Sequence, residues 1–287
     1  MSSAMDCRNR LAGVLFGVLS LLVAVPASAA EAISAEKMFD GQWHFSVTPY
    51  LWLPTIYVNG TFAGPLGIAQ GVTTGMHSAP SSYLHNLSFA AMVTGEARKN
   101  DWSLFADYIY LKFRNQDTAI RSIAGPGGAV SGTVDTGSSQ SLTGNVLTVA
   151  GAYTVWRERG SHLDILAGTR YLNMDASLDW NVAGTGGVLP GLQGDTSMRL
   201  GKWDGIIGFK GQLPLGDGGR WFMPYYVDAG WGSANTTWQA LIAMGYRFDW
   251  GNLVLALRSL SYNFNGHNSD GVDARFTGLA LGATFPF

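Results

Sequence analysis

From Trp43 to Phe287 the chain alternates apolar and polar side chains with a period of two, which is the strand signature. Phe45, Val47, Leu51 and Leu53 alternate with Ser46, Thr48 and Tyr50. The pattern recurs in ten segments, roughly 43–58, 85–98, 101–114, 143–157, 160–176, 199–215, 219–232, 235–249, 251–264 and 274–287. Each segment exceeds the about 9–11 residues that a tilted strand needs to cross a bilayer. The connectors alternate in length. Lys99-Asn100, Arg157-Glu158-Arg159-Gly160, Gly216-Asp217-Gly218-Gly219 and Asp249-Trp250-Gly251-Asn252 read as tight turns, whereas 59–84, 115–142, 177–198 and 265–273 are longer. Gly232-Ser233-Ala234-Asn235 is the tight exception on the long side. Short periplasmic turns and longer external loops are the rhythm of an outer-membrane barrel, and an even strand count puts both termini in the periplasm.

Two parities separate cleanly. In 199–215, Trp203, Ile207, Phe209 and Leu213 share one, and Asp204, Lys210 and Gln212 the other. In 235–249, Trp238, Ala240, Ile242, Met244, Tyr246 and Phe248 oppose Gln239 and Arg247. Leu163, Ile165, Ala167 and Tyr171 oppose Asp164 and Arg170, and Leu253, Leu255 and Leu257 oppose Arg258. Arg or Lys on the lipid face at the bilayer midplane costs about 2–4 kcal/mol, so the charged parity belongs in the lumen. A soluble β-sandwich would also alternate, but its exposed face would be densely charged. Here only 13% of residues are charged, against about 25% in ordinary soluble domains. Aromatics reach 12% and glycines number 38, and beyond the N-terminus no apolar run is long enough for a spanning helix. The expected fold is all-β: an antiparallel transmembrane up-and-down β-barrel of about ten strands, with eight and twelve as the neighbouring even counts.

The first 30 residues read as a signal peptide. Arg8 and Arg10 are basic, Leu11–Val25 is apolar, and Pro26-Ala27-Ser28-Ala29-Ala30 offers a cleavage site. Its removal takes away the only cysteine, Cys7, so the mature chain has no thiol chemistry and no disulfide. Residues 31–42 form a periplasmic lead-in, and 43–287 the barrel domain of an exported, Gram-negative outer-membrane protein. Trp102, Trp156, Trp203, Trp221, Trp238, Trp250, Tyr246 and Phe248 cluster near strand ends, as interfacial girdles do. Phe287 closes the last alternating strand with Phe285 and Leu281 on its parity, in the manner of an outer-membrane assembly signal.

Several stretches resemble a poorly characterised group of proteobacterial outer-membrane β-barrel proteins. They are Ser46-Val47-Thr48-Pro49-Tyr50-Leu51-Trp52, Phe105-Ala106-Asp107-Tyr108, Leu166-Ala167-Gly168-Thr169-Arg170-Tyr171, Trp238-Gln239-Ala240 and Gly245-Tyr246-Arg247-Phe248. The resemblance spans nearly the whole mature chain. It implies an outer-membrane barrel and brings no catalytic residue.

The inward charges expected from parity are Glu96, Asp107, Asp164, Asp204 and Asp228 against Arg170, Lys210, Arg247 and Arg258. Small barrels have interiors just filled by side chains, and buried charges need partners. A polar, charge-paired lumen with a structural or permeability-related role is therefore expected, with a narrow porin-like channel for small solutes as the alternative. A membrane-embedded hydrolase is the third reading. It would need a Ser, a His and an acid to converge. The histidines are His44, His77, His85, His162 and His267; Ser81 and Ser82 stand near His85 and Asp270 near His267, in no catalytic spacing. No paired histidines at ligand spacing, no calcium loop and no phosphate loop appear, so no metal or cofactor is expected. The net charge of −2 gives no basic stripe for nucleic acid. The expected partners are outer-membrane lipids and the barrel assembly machinery.

Overall fold

The computed structural model describes residues 37–62, 72–115, 139–182, 192–216, 219–233, 235–265 and 271–287. Residues 1–30, where the sequence predicts a signal peptide, most of 31–42, the middles of the longer connectors and His267 lie outside the described residues. A 3-10 turn, Lys37–Phe39, precedes eleven strands: β1 Trp43–Phe62, β2 Val72–Ser78, β3 Leu87–Lys99, β4 Trp102–Asn115, β5 Ser139–Glu158, β6 Ser161–Val182, β7 Leu192–Leu215, β8 Trp221–Gly232, β9 Asn235–Phe248, β10 Gly251–Asn265 and β11 Gly271–Pro286. A helical turn, α1 (Pro80–Tyr83), and a 3-10 turn, Leu84–Asn86, lie between β2 and β3.

Ten of these strands close into an antiparallel up-and-down barrel. Neighbours in sequence are neighbours in space from β3 to β11, and β11 pairs with β1 to seal the wall. The closing register runs from Ser46 opposite Pro286 to Thr61 opposite Gly271. Phe45 and Phe287 exchange both backbone hydrogen bonds, at 3.0 and 2.9 Å. The β3–β4, β5–β6, β7–β8 and β9–β10 turns and both ends of the barrel chain lie at one end, hereafter the turn end; the opposite end, which also holds the tight β8–β9 connector, is the loop end. In the Glu158–Ser161 connector, Arg159 and Gly160 both have positive φ (46° and 80°), the type I′ geometry that matches the twist of a two-residue hairpin.

Two features differ from the sequence expectation. The hairpins β5–β6 and β6–β7 run further toward the loop end, to Ser139 opposite Asp179 and Val182 opposite Leu192. Largely polar sequence there hides the strand period, while the ladder simply continues from its well-patterned base. The eleventh strand, β2, lies inside what reads as the first long connector, and His77 sits on it. It pairs with β1 from Ile56–Ser78 to Phe62–Val72. An edge of open N–H and C=O groups templates a further strand. β1 offers such an edge because β3 reaches only as far as Pro49–Val93.

The outer surface is a charge-poor band. Leu104, Ile165, Ile207, Phe209, Ile242, Met244, Leu253, Leu255, Leu257, Leu279 and Leu281 are all exposed. At the turn end Phe45 stacks between Trp43 and Phe287, and Tyr246, Phe248, Trp250 and Phe285 follow in edge and stacked contacts. Toward the loop end Trp203 packs on Tyr171 at 4.6 Å, with Trp231 and Trp238 exposed on the neighbouring strands. From Trp221 to Trp231 on β8 is ten residues, or about 25 Å of height at the usual rise and tilt, the height of an outer-membrane apolar band. Charged contacts flank it: Arg157–Asp101 on the turn side and Arg199–Asp175 on the loop side.

Candidate functional site

The interior receives one side chain in two from each strand, and the sequence sorts these into tiers. Nearest the turn end, Arg98 of β3 is ion-paired with Asp164 of β6 and, at 3.0 Å, with Glu96. Lys210 of β7 reaches Glu96 at 2.6 Å. Thr154 of β5 donates to Asp164 at 2.6 Å and accepts from Arg98 at 2.9 Å. Phe39, from the turn that precedes β1, lies 5.4 Å from the Arg98 guanidinium and 5.0 Å from that of Arg157, so the lead-in tucks an aromatic ring under the barrel. Asp40 beside it accepts from the Gln42 N–H and from His44, each at 2.8 Å, and these bonds hold its carboxyl below the usual range.

At mid-height two arginines tie the wall together. Arg258 of β10 is ion-paired with Asp107 of β4 and donates to the Tyr50 hydroxyl of β1 (2.7 Å) and to Gln239 of β9 (2.8 Å). Tyr50 and Thr94 complete the shell, donating to Asp107 at 2.7 and 2.8 Å. Arg170 of β6 is ion-paired with Asp228 of β8 and donates to Thr148 of β5 (3.2 Å) and Thr237 of β9 (3.1 Å). The side chains of both Arg170 and Asp228 are fully buried. Two ions taken out of water cost several kcal/mol each, which only close pairing with further hydrogen bonds repays. Both clusters have that form.

One step further toward the loop end the interior turns apolar on six strands. Along β1 the inward residue after Tyr50 is Trp52; on β3, Met92 follows Thr94; on β4, Ile109 follows Asp107; on β5, Val146 follows Thr148; on β6, Leu172 follows Arg170; on β10, Leu260 follows Arg258. These six belong to one buried cluster with Ala243, Ala256, Tyr262 and Ala280. The tiers meet at Arg258, whose guanidinium carbon lies 5.0 Å from the Trp52 ring. The lumen is therefore not polar throughout, as the charge pattern alone suggests. A chamber of about 350 Å³, whose lining includes Glu96, Arg98, Lys210, Asp107 and Arg258, lies below. A smaller apolar chamber of about 100 Å³ lies above.

Of the nine charges read from parity, the structure brings Asp107 to Arg258, Arg170 to Asp228 and Glu96 to Lys210, and places Asp164 beside Arg98. Asp204 is buried opposite Arg170 in the β6–β7 register. Arg247 stands apart near the turn end, 4.4 Å from the Phe222 ring and bonded to the Gly219 carbonyl at 2.5 Å. Arg98 and Lys202 are inward charges that sequence reasoning missed; they share the parities of Glu96 and Asp204, and that signal could have found them. His44 bonds Asp40, His162 is buried with Nε2 4.0 Å from Asp164, and His85 falls in the 3-10 turn before β3. Phe287 is exposed, its ring stacked 5.9 Å from Phe45.

No family model and no curated protein matches the chain. Solved outer-membrane barrels are similar to it in structure at low identity. The outer-membrane protease OmpT from Escherichia coli aligns with a TM-score of 0.49 and 11% identity, over 87% of this chain and 98% of that one. The translocator domain of the autotransporter NalP from Neisseria meningitidis gives 0.36 and 16%, over 99% and 98%. Ail, the attachment invasion locus protein of Yersinia pestis, gives 0.33 and 7%, over 85% and 99%.

Proposed function

We propose that this is an exported outer-membrane barrel with a structural or permeability-related role, whose lumen is sealed and does not conduct ions. The observation that carries the reading is the step from paired charges to an apolar plug at one level on six strands. An ion moving along the axis would leave the chamber at the turn end, separate buried ion pairs and then cross hydrocarbon. An unpaired charge in such surroundings costs far more than thermal energy supplies. The signal segment 1–30, the resemblance of the Ser46–Trp52 strand to proteobacterial outer-membrane proteins, and Phe287 as the mark read by the assembly machinery belong to the same reading. The apolar band supports outer-membrane lipid as its surroundings.

The test is conductance across planar bilayers with the refolded barrel. The expected result is no discrete conductance step from the native protein, and steps from a variant in which Arg258, Asp107 and Trp52 are all replaced by Ala. Unitary steps from the native protein would overturn the sealed-lumen reading in favour of a narrow solute channel.

A further inference from the structure

The wall is interrupted between β1 and β3. β1 pairs with β3 only from Trp43–Lys99 to Pro49–Val93, and with β2 only from Ile56 onward. Tyr50 to Thr55 have no strand partner on that edge, although the other edge of β1 pairs with β11 through the same stretch. Side chains replace the missing ladder. The Trp52 N–H is met by the Met92 sulfur at 3.1 Å, and the Pro54 carbonyl accepts from the Tyr83 hydroxyl at 2.6 Å. Pro54 has no N–H to leave unpaired. At the seam the Trp52 N–H therefore has a partner and Pro54 presents no backbone donor.

The apolar chamber lies behind this seam. Its lining includes inward residues of the plug, Trp52, Met92 and Leu172, together with Leu51 and Leu53, which sit on the opposite, lipid-facing parity of β1. A cavity whose lining includes residues of both parities of β1 reaches into the wall at the seam. Its surroundings are aliphatic, aromatic and thioether groups almost throughout, so a polar solute would lose its water there without replacement. A closed apolar cavity of about 150 Å³ takes up benzene, so about 100 Å³, with slight widening at the open seam, suits one small ring or a chain of a few carbons.

We propose that the β1–β3 seam is a lateral access route from the bilayer, and that the chamber behind it binds a small apolar molecule of single-ring size drawn from the lipid phase. The proposal rests on the transmembrane placement of the barrel and is independent of whether the axis conducts. A failure of binding leaves the conductance result untouched.

The probe is benzene, titrated into barrel carrying methionine labelled with carbon-13 at the methyl group and refolded in micelles. Met92 and Met174 line the chamber, whereas Met244 is exposed on the lipid-facing side and serves as the internal control. The expected result is a saturable shift of the Met92 and Met174 methyl signals, while Met244 drifts linearly with partitioned benzene. Ala90→Phe, which fills the chamber, abolishes saturation, and the milder Ala90→Leu weakens binding at least tenfold; heat-modifiable migration on gels checks that each variant is folded. Leu51→Trp with Leu53→Trp, which crowds the outer mouth, slows exchange at least tenfold at unchanged affinity. A linear response at Met92 in the native protein would overturn the site. Saturable binding with exchange unchanged by the mouth variant would overturn the lateral route.

Discussion

Asp107 is the residue on which the lumen's energetics turn, because it accepts from Arg258, Tyr50 and Thr94 at once. Removing one partner of a buried, hydrogen-bonded pair costs about 3–5 kcal/mol, since the other charge is left stranded, whereas replacing both by apolar groups of similar volume is often neutral. Asp107→Ala is therefore expected to lower unfolding stability in urea by about that amount, and the double variant Asp107→Leu, Arg258→Met to recover most of it. Equal losses in the single and double variants would show that the pair is not stabilised in this way. Glu96→Gln should cost less, about 1.5–3 kcal/mol, because the amide still accepts from Arg98 and Lys210 and the side chain keeps 29% of its exposure near the turn end. At this scale the sequence was informative. Parity alone turns Asp107, Asp164, Arg170, Asp228 and Arg258 inward. The identity of each partner was not legible, since Asp107 and Arg258 are 151 positions apart and only barrel closure brings them together.

Among the elements, β1 carries the most unusual load: three neighbours on two edges, with a stretch that has no strand partner on one of them. Backbone groups held by side chains open more readily than those in a continuous ladder. The Trp52 amide, bonded to a sulfur at the seam, should exchange with solvent deuterium faster than that of Leu53, which lies opposite Leu279 in the closing register. Hydrogen exchange read by NMR checks this, and equal protection at the two sites would mean that the seam is as tight as the rest of the wall. Strand positions were largely readable because alternation is strong wherever one face meets lipid. β2 was not, because Val72-Thr73-Thr74-Gly75-Met76-His77-Ser78 has little apolar contrast and exists to cover an edge that the sequence does not announce. The apolar plug was hidden for a related reason. Trp52, Met92, Ile109, Val146, Leu172 and Leu260 were visible one by one, but their common level depends on strand register, which local sequence leaves open.

For the whole molecule, the closed hydrogen-bond circuit and the apolar band make folding a single event with a large electrophoretic signature. Unboiled protein is expected to migrate differently from boiled protein on a detergent gel; identical migration, with the chain recovered in the soluble fraction, would refute the membrane barrel. The seal that completes the circuit joins Ser46 to Pro286, positions separated by 240 residues. Bringing such distant segments together costs chain entropy before any contact repays it, and long-range pairings of this kind are slow to form. Apart from the β1–β3 pairing, which skips β2, every other strand finds its partner next to it in sequence, so closure is the natural kinetic bottleneck. A chain released without β11 would therefore be an open sheet with two bare edges, prone to pair with its own copies, and completion of synthesis becomes a condition for escaping aggregation.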